Sequence, residues 1–279
     1  MGTQTKLGPL IYPTRSDPRW FILAFLGCFM IYAVSSPGFQ RYPVQFVTVI
    51  AICTLLDAAL CRWYQGVNLF PMSGIVTSGG TLLLTDSPYV WPYAFVAVTS
   101  ILSKHFIRVD DRHVFNPNNF GIVLGTLFFS TDISIVAARW GGSTEGFILI
   151  FCLGCLVAWR GGRLDLALTY VAAFFLGALL RSYYYAAPLH RLLTPMTGAG
   201  FMLFTFYMIT DPMTTPSSRR DRIIFGALLG LLDNWLRQNQ IPNAPFYVLF
   251  AMTGVLSAWK ASAMKSKRED IWKFRAATT

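Results

Sequence analysis

Apolar residues along this chain fall in blocks instead of the single-face stripe of a helix half-immersed in water. Ten blocks stand out, at about 20–36, 44–61, 72–85, 90–107, 119–136, 146–159, 164–181, 196–209, 222–236 and 244–259. Most approach the roughly 20 apolar residues that carry a helix across a bilayer. The connectors between them are short and basic or proline-rich. The pattern predicts an all-α polytopic membrane protein with five segments in each half.

Two blocks depart from the rule. Residues 73–88 read SGIVTSGGTLLLTDSP, and residues 196–216 read MTGAGFMLFTFYMITDPMTTP. Each opens on small residues, carries a short apolar run and stops at Thr-Asp beside a proline. Thr85 and Thr210 lie 125 positions apart. A Pro-Asn cluster repeats at a similar interval, Phe115-Asn116-Pro117-Asn118-Asn119 before the fifth block and Ile241-Pro242-Asn243 before the tenth. Short, glycine-interrupted segments in matching halves point to a membrane site built on broken helices. The sixth block is also short, as a tilted or partly buried helix would be.

Charge sets the orientation. With the N-terminus in the cytoplasm and all ten segments crossing, 18 Lys and Arg fall on the cytoplasmic side and 5 outside. That bias is the one expected of membrane proteins. The count favours both short motifs spanning, or a pair of re-entrant turns with compensating half-helices. An odd number of segments per half inverts the second half relative to the first. The organisation is then a cytoplasmic tail (1–19), a first repeat (20–136), an inverted repeat (146–260) and a basic cytoplasmic tail (261–279). Both termini are cytoplasmic at the cell (inner) membrane.

Composition agrees: 54% of the 279 residues are hydrophobic and 13% charged, and mean hydropathy is +0.49. A soluble domain carries about 25% charged residues. The net charge of +10 is read as topology, with no nucleic-acid partner. Residues 1–19 lack the apolar core of a cleavable signal, so the first block is expected to act as an uncleaved anchor. Five cysteines sit in or beside apolar blocks, and Cys152 and Cys155 have CxxC spacing. They are read as small buried residues, with no disulfide framework. Trp20, Trp91, Trp159, Trp235 and Trp259 lie near block ends, where an aromatic belt would sit.

Candidate chemistry concentrates in the short motifs. The cluster of Ser73, Gly74, Thr77, Ser78, Gly79 and Gly80, and that of Thr197, Gly198, Ala199 and Gly200, suit a phosphate at a helix N-terminus. Equally, small residues let helices pack closely in lipid, and both readings stand. Asp86 and Asp211 are read as holding turns beside Pro88 and Pro212, with an ion or proton site as the other role. Asp57 and Asp233 lie nearer the apolar runs and can face an internal polar cavity. Asn118 reads as a helix cap, with Asn116 and Asn119 open. His105, His113 and His190 lack ligand spacing and read as interface or surface residues. No catalytic triad, Walker-type motif, dinucleotide fingerprint or metal set is read in the sequence.

As a set, these motifs resemble the D subunit of the Rnf electron-transport complex and the B subunit of the sodium-pumping NADH:quinone reductase. The likeness rests on Ser73-Gly74 with Leu82-Leu83-Leu84, Phe115-Asn116-Pro117 with Gly121, and Met202-Leu203 followed by Thr210-Asp211-Pro212 and Thr214-Thr215. The run Arg222 to Leu231 extends it, and it covers roughly residues 65–260. The chain also resembles stand-alone relatives encoded in enediyne antibiotic clusters. The resemblance implies a ten-helix inverted-repeat fold, also seen in urea-transporter-like channels. It implies flavin-linked electron transfer among other membrane redox subunits.

Two departures qualify it. The family joins flavin mononucleotide to the Thr of a Ser-Gly-Ala-Thr motif; here the stretch reads Thr197-Gly198-Ala199-Gly200, and Gly200 offers no hydroxyl. Asn118-Asn119 is the second departure. The expectation is a non-covalently bound flavin between the short motifs. Thr197, Gly198, Ser73 and Thr77 would contact its phosphate or ring edge, with Gly74, Asn116, Gly200 and Asp211 completing the site. The alternative is a small-solute or ion transporter or channel without redox activity, its path shaped by Asp86, Asp211 and the asparagines.

Overall fold

The structure, a computed structural model, describes residues 10–17, 19–36, 39–135 and 144–277, with backbone only at 65, 144–146 and 264–277. Most of the N-terminal tail, and the 136–143 connector with Arg139, lie outside the described residues. The chain is mostly helical. Helices α1 (Arg19–Val34), α2 (Pro43–Gln65), α3 (Met72–Leu84), α4 (Trp91–Phe106) and α5 (Pro117–Phe128) make the first half. The second half holds α6 (Thr144–Arg160), α7 (Leu164–Tyr185), the short α8 (Leu189–Leu193) and α9 (Ala199–Leu203), then α10 (Arg219–Gln238) and α11 (Ala244–Ala277). Each apolar block therefore contains a helix.

Three helices are long and apolar enough to cross a membrane: Pro43–Tyr64, Leu164–Tyr185 and Ala244–Ala263. Their outward faces expose Val47, Leu55, Leu176, Leu180 and Val255, an apolar surface that water would not tolerate over such an area. The five block-end tryptophans are all exposed.

Two boundaries differ from expectation. The fifth helix ends at Phe128, because the Ser130-Thr131-Asp132 turn breaks it; a two-residue strand β4 (Ser134–Ile135) follows and pairs with β1 (Thr85–Asp86). The last helix runs on to Ala277, through the segment expected to be a separate tail. A hairpin, β2 (Arg108–Val109) with β3 (Arg112–His113), joins α4 to α5.

The two halves share a packing pattern. In the first, α2 packs on α4, α4 on α5 and α1 on α3; in the second, α7 packs on α10, α10 on α11, and α6 on the short segment that begins with α9. That segment is interrupted. A 3-10 turn (Thr194–Thr197) gives way to extended backbone at Gly198, then α9, then a wider π-helical turn at Phe204–Met208. Aromatic rings wrap it: Phe201 stacks on Tyr170 at 5.4 Å, Phe204 meets Phe246 at 5.3 Å and Phe206 meets Phe151 edge-on at 5.6 Å. In lipid, such van der Waals packing holds helices together where the hydrophobic effect does not.

Candidate functional site

The two short segments meet. Tyr207, in the π-helical turn, donates its hydroxyl to the carbonyl oxygen of Val76 on α3 (3.2 Å) and accepts from Asn118 Nδ2 on α5 (2.7 Å). Asn118 Oδ1 accepts from Thr81 (3.0 Å). A Cβ at Gly80 would collide with the Asn118 amide and lie 2.7 Å from the Tyr207 ring. Gly80 is therefore a close-approach residue, and so is Gly74, where a Cβ would stand 2.5 Å from the Cys53 carbonyl oxygen of α2. Capping of α5 belongs to Asn116, which accepts from the Asn119 amide (3.2 Å). Asn118, read as a cap, instead ties α3 to the second segment, and Asn119 donates to the Phe246 carbonyl of α11 (3.2 Å).

Beside this contact lies a cavity of about 410 Å³, lined by residues of both short segments. The first turns of α3 contribute Ser73, Val76 and Thr77; the far end of the other segment contributes Phe206, Tyr207, Thr210 and Asp211. The start of one segment thus faces the end of the other, so they run antiparallel. Asn116 and Pro117 open α5 onto the same space, and Phe25 of α1 and Val157 of α6 supply apolar walls. Arg19, Lys104, His113 and Arg160 give it a basic rim.

Asp211 is the acid among the lining residues. Its Oδ1 accepts from the Met213 amide (2.9 Å), its Oδ2 from Asn116 Nδ2 (3.2 Å), and its carbonyl from Thr215 Oγ1 (2.8 Å), so it does hold its turn. Burial pushes its carboxyl above the ordinary range. Arg112 donates to the Pro212 carbonyl and Arg163 to the Pro216 carbonyl, fixing the loop that follows. His113 is held against the Lys104 carbonyl by Nδ1 (3.1 Å). Its burial, with Lys104 and Arg108 nearby, lowers its pKa to about 4, so the ring stays neutral at ordinary pH.

Under the cavity floor sits a buried ionic cluster. Lys104 Nζ reaches Asp57 Oδ1 at 2.5 Å and Ser73 Oγ at 2.7 Å, and His105 Nε2 lies 2.8 Å from the same Asp57 oxygen. Their side chains are 9%, 3% and 5% exposed for Lys104, Asp57 and His105. His105 is therefore no surface residue, and Lys104 is more than a topology charge. His190 is exposed, as expected. Asp233 has a comparable place in the second half, between Tyr170 Oη (2.9 Å) and Arg237 Nε (2.8 Å). Asp86 pairs with Arg41 (2.7 Å) at the opposite end of α3. The cysteines are free, but Cys28 and Cys152 are exposed and Cys155 half-buried, leaving Cys53 and Cys61 as the buried pair.

Of the eight expected site residues, Ser73, Thr77, Asn116 and Asp211 converge on the cavity. Gly74 is used in helix packing. Thr197 lines a crevice of only about 10 Å³ with Tyr32, Phe147 and Met202, room for about one water. Its hydroxyl donates to the Thr194 carbonyl (2.9 Å). Gly198 supplies the extended break, and Gly200 is buried in the first turn of α9. Antiparallel packing puts these three at the start of their segment, away from the end that faces Ser73.

Residues 133–253 match the family model described as the NQR2, RnfD, RnfE family. Among curated proteins, the chain is 35% identical over 98 residues to the D subunit of the ion-translocating oxidoreductase complex of Shewanella loihica, covering 32% of this chain and 28% of that protein. To the protein of the same name in Cellvibrio japonicus it is 32% identical over 123 residues, 41% of this chain and 33% of that one. The chain thus matches about a third or less of the length of these relatives. The similarity is to the RnfD-like family that the sequence motifs indicate.

Proposed function

We propose that this chain is an RnfD-like membrane subunit of an ion-translocating oxidoreductase complex, and that it holds a flavin non-covalently in the cavity beside the crossing of its two short helices. The observation that carries this reading is the convergence of Ser73, Thr77, Asn116 and Asp211, from three separate elements, on one apolar cavity with a basic rim. At about 410 Å³ its size falls within the range of cofactor pockets, about 300–1,000 Å³.

The residues fit the group. Phe25, Val76, Phe206 and Tyr207 offer flat apolar and aromatic walls to a ring system. Ser73 and Asn116 offer hydroxyl and amide groups at two helix starts, where an anionic phosphate is favoured. Arg19, Arg160 and Lys104 add positive charge. A flavin, when bound, supplies a carrier able to pass electrons between partners. The chain's residues bind and orient it, and the lipid-facing helices exclude water. With Gly200 in place of a hydroxyl residue, retention rests on these contacts alone. The shared packing of the two halves and the antiparallel short segments support an inverted 5+5 repeat with ten crossings. The relatives' names support other membrane redox subunits as partners.

The test is the visible spectrum of the detergent-purified protein before and after acid precipitation. A flavin spectrum that moves wholly into the supernatant is expected. Protein without flavin that conducts a small solute into liposomes would replace this reading with the transporter one.

A further inference from the structure

The seam between α2 and α4 carries a set of side chains that flavin binding leaves unused. Asp57 and Cys61 stand one turn apart on α2, and His105 faces them from α4; one ligand atom from each lies within 4.8 Å of the others. We propose that Asp57, Cys61 and His105 form a binding site for a divalent cation of borderline softness, Zn²⁺ by its ligand chemistry. One carboxylate oxygen, one imidazole nitrogen and one thiolate sulfur make a donor set that suits Zn²⁺ and disfavours Mg²⁺ or Ca²⁺, which take oxygen.

The geometry needs little adjustment. Tetrahedral zinc would hold such ligand atoms about 3.3–3.6 Å apart, and His105 Nε2 is already 2.8 Å from Asp57 Oδ1. The cluster is buried, with Asp57 at 2% and Cys61 at 9% exposure. Both helices are pinned around it. Gly74 lets α3 rest against α2 at the level of Asp57, where a Cβ would lie 3.1 Å from the Asp57 Cβ. Beyond the cluster, toward the helix ends, Tyr64 of α2 meets Phe106 of α4 edge-on at 5.5 Å.

Lys104 decides the form of the site. Its ammonium occupies Asp57 Oδ1, so Oδ2 is the oxygen left for an ion. A ligating carboxylate held by a further hydrogen bond is the usual arrangement around zinc. Binding converts the Cys61 thiol to a metal thiolate and releases one proton to solvent, with no change of oxidation state. Affinity therefore rises with pH. Three protein ligands leave a fourth position for water.

Co²⁺ is the probe, added to the full chain in detergent after chelator treatment. The expected result is a thiolate-to-cobalt charge-transfer band with the visible bands of a tetrahedral ion, saturating at one Co²⁺ per chain. Cys61→Ser should abolish the charge-transfer band, and His105→Gln should weaken binding on the order of ten-fold or more. A variant with Cys28, Cys152 and Cys155 all changed to Ser, which leaves the α2–α4 seam untouched, should keep the band. No thiolate band in the wild-type protein, or loss of the band in that triple variant, overturns the site, whether or not Cys61→Ser folds.

Discussion

Asn118 Nδ2 donates to Tyr207 Oη over 2.7 Å, across 89 residues of sequence, and that bond joins the two halves of the molecule at the crossing of their short helices. Tyr207 passes the connection to the Val76 carbonyl and Asn118 passes it to Thr81. Removing either partner strands buried polar groups away from water. Asn118→Ala and Tyr207→Phe are each expected to lower stability by about 1–2 kcal/mol. The double variant should lose less than the sum, because the second change removes a group already unpaired. Denaturation in micelles reads this directly, and strict additivity would mean the two side chains do not act together.

Gly80 sits under that bond. Gly80→Ala has to displace the Asn118 amide or the Tyr207 ring, and overpacking of this kind costs about 1–3 kcal/mol. Gly27 on α1 is the control, since a Cβ there meets nothing within 4 Å. Gly27→Ala should be neutral or stabilising by up to about 1 kcal/mol. Melting temperatures of the two variants should move in opposite directions or differ clearly in size.

Lys104 neutralises Asp57 in a setting where neither side chain is more than 9% exposed. Lys104→Met leaves a buried carboxylate facing His105 alone, and breaking a buried pair from one side costs about 3–5 kcal/mol. Replacing both, as Lys104→Met with Asp57→Leu, should recover much of the loss. Equal instability of the single and double variants in a thermal melt would show that the pair has no compensating role.

His113 gives a pH signature. Its folded pKa of about 4 lies below the unfolded value of about 6.5. The unfolded chain therefore takes the proton first as pH falls. The neutral ring's contribution is fully present above about pH 6.5 and is lost progressively down to about pH 4. Asp211 acts with the opposite sign, since its raised pKa lets the folded protein hold a proton that the unfolded chain has released. His113→Gln should flatten the loss of stability between pH 7 and 4.5, followed as the melting temperature across a pH series. An unchanged slope would remove His113 from the balance.

Much of this was legible in the residue order. Blocks of apolar residues marked each principal helix, and the glycines and prolines of 73–88 and 196–216 marked the short, interrupted ones. What stayed hidden depended on helix phase and on pairing at a distance. Asn116, Asn118 and Asn119 read alike as caps. The turn of α5 aims Asn116 at its own backbone, Asn118 at Tyr207 and Asn119 at Phe246. Lys104 and His105 lie 47 and 48 residues from Asp57, so no local spacing announces them; a Lys and a His inside an apolar block, with an Asp inside another, was the available signal. Thr197 looked equivalent to Ser73 because both open a short segment. Inverted packing sends those two starts to different ends of the crossing.

The flavin content of two variants, per purified chain, tests the central claim most directly. Val157→Trp projects bulk into the cavity from α6, and Thr197→Ala alters the distant crevice. Flavin lost from Val157→Trp and retained in Thr197→Ala is the predicted result. Flavin retained in Val157→Trp and lost from Thr197→Ala would place the cofactor at the start of the second short segment and contradict the cavity between them.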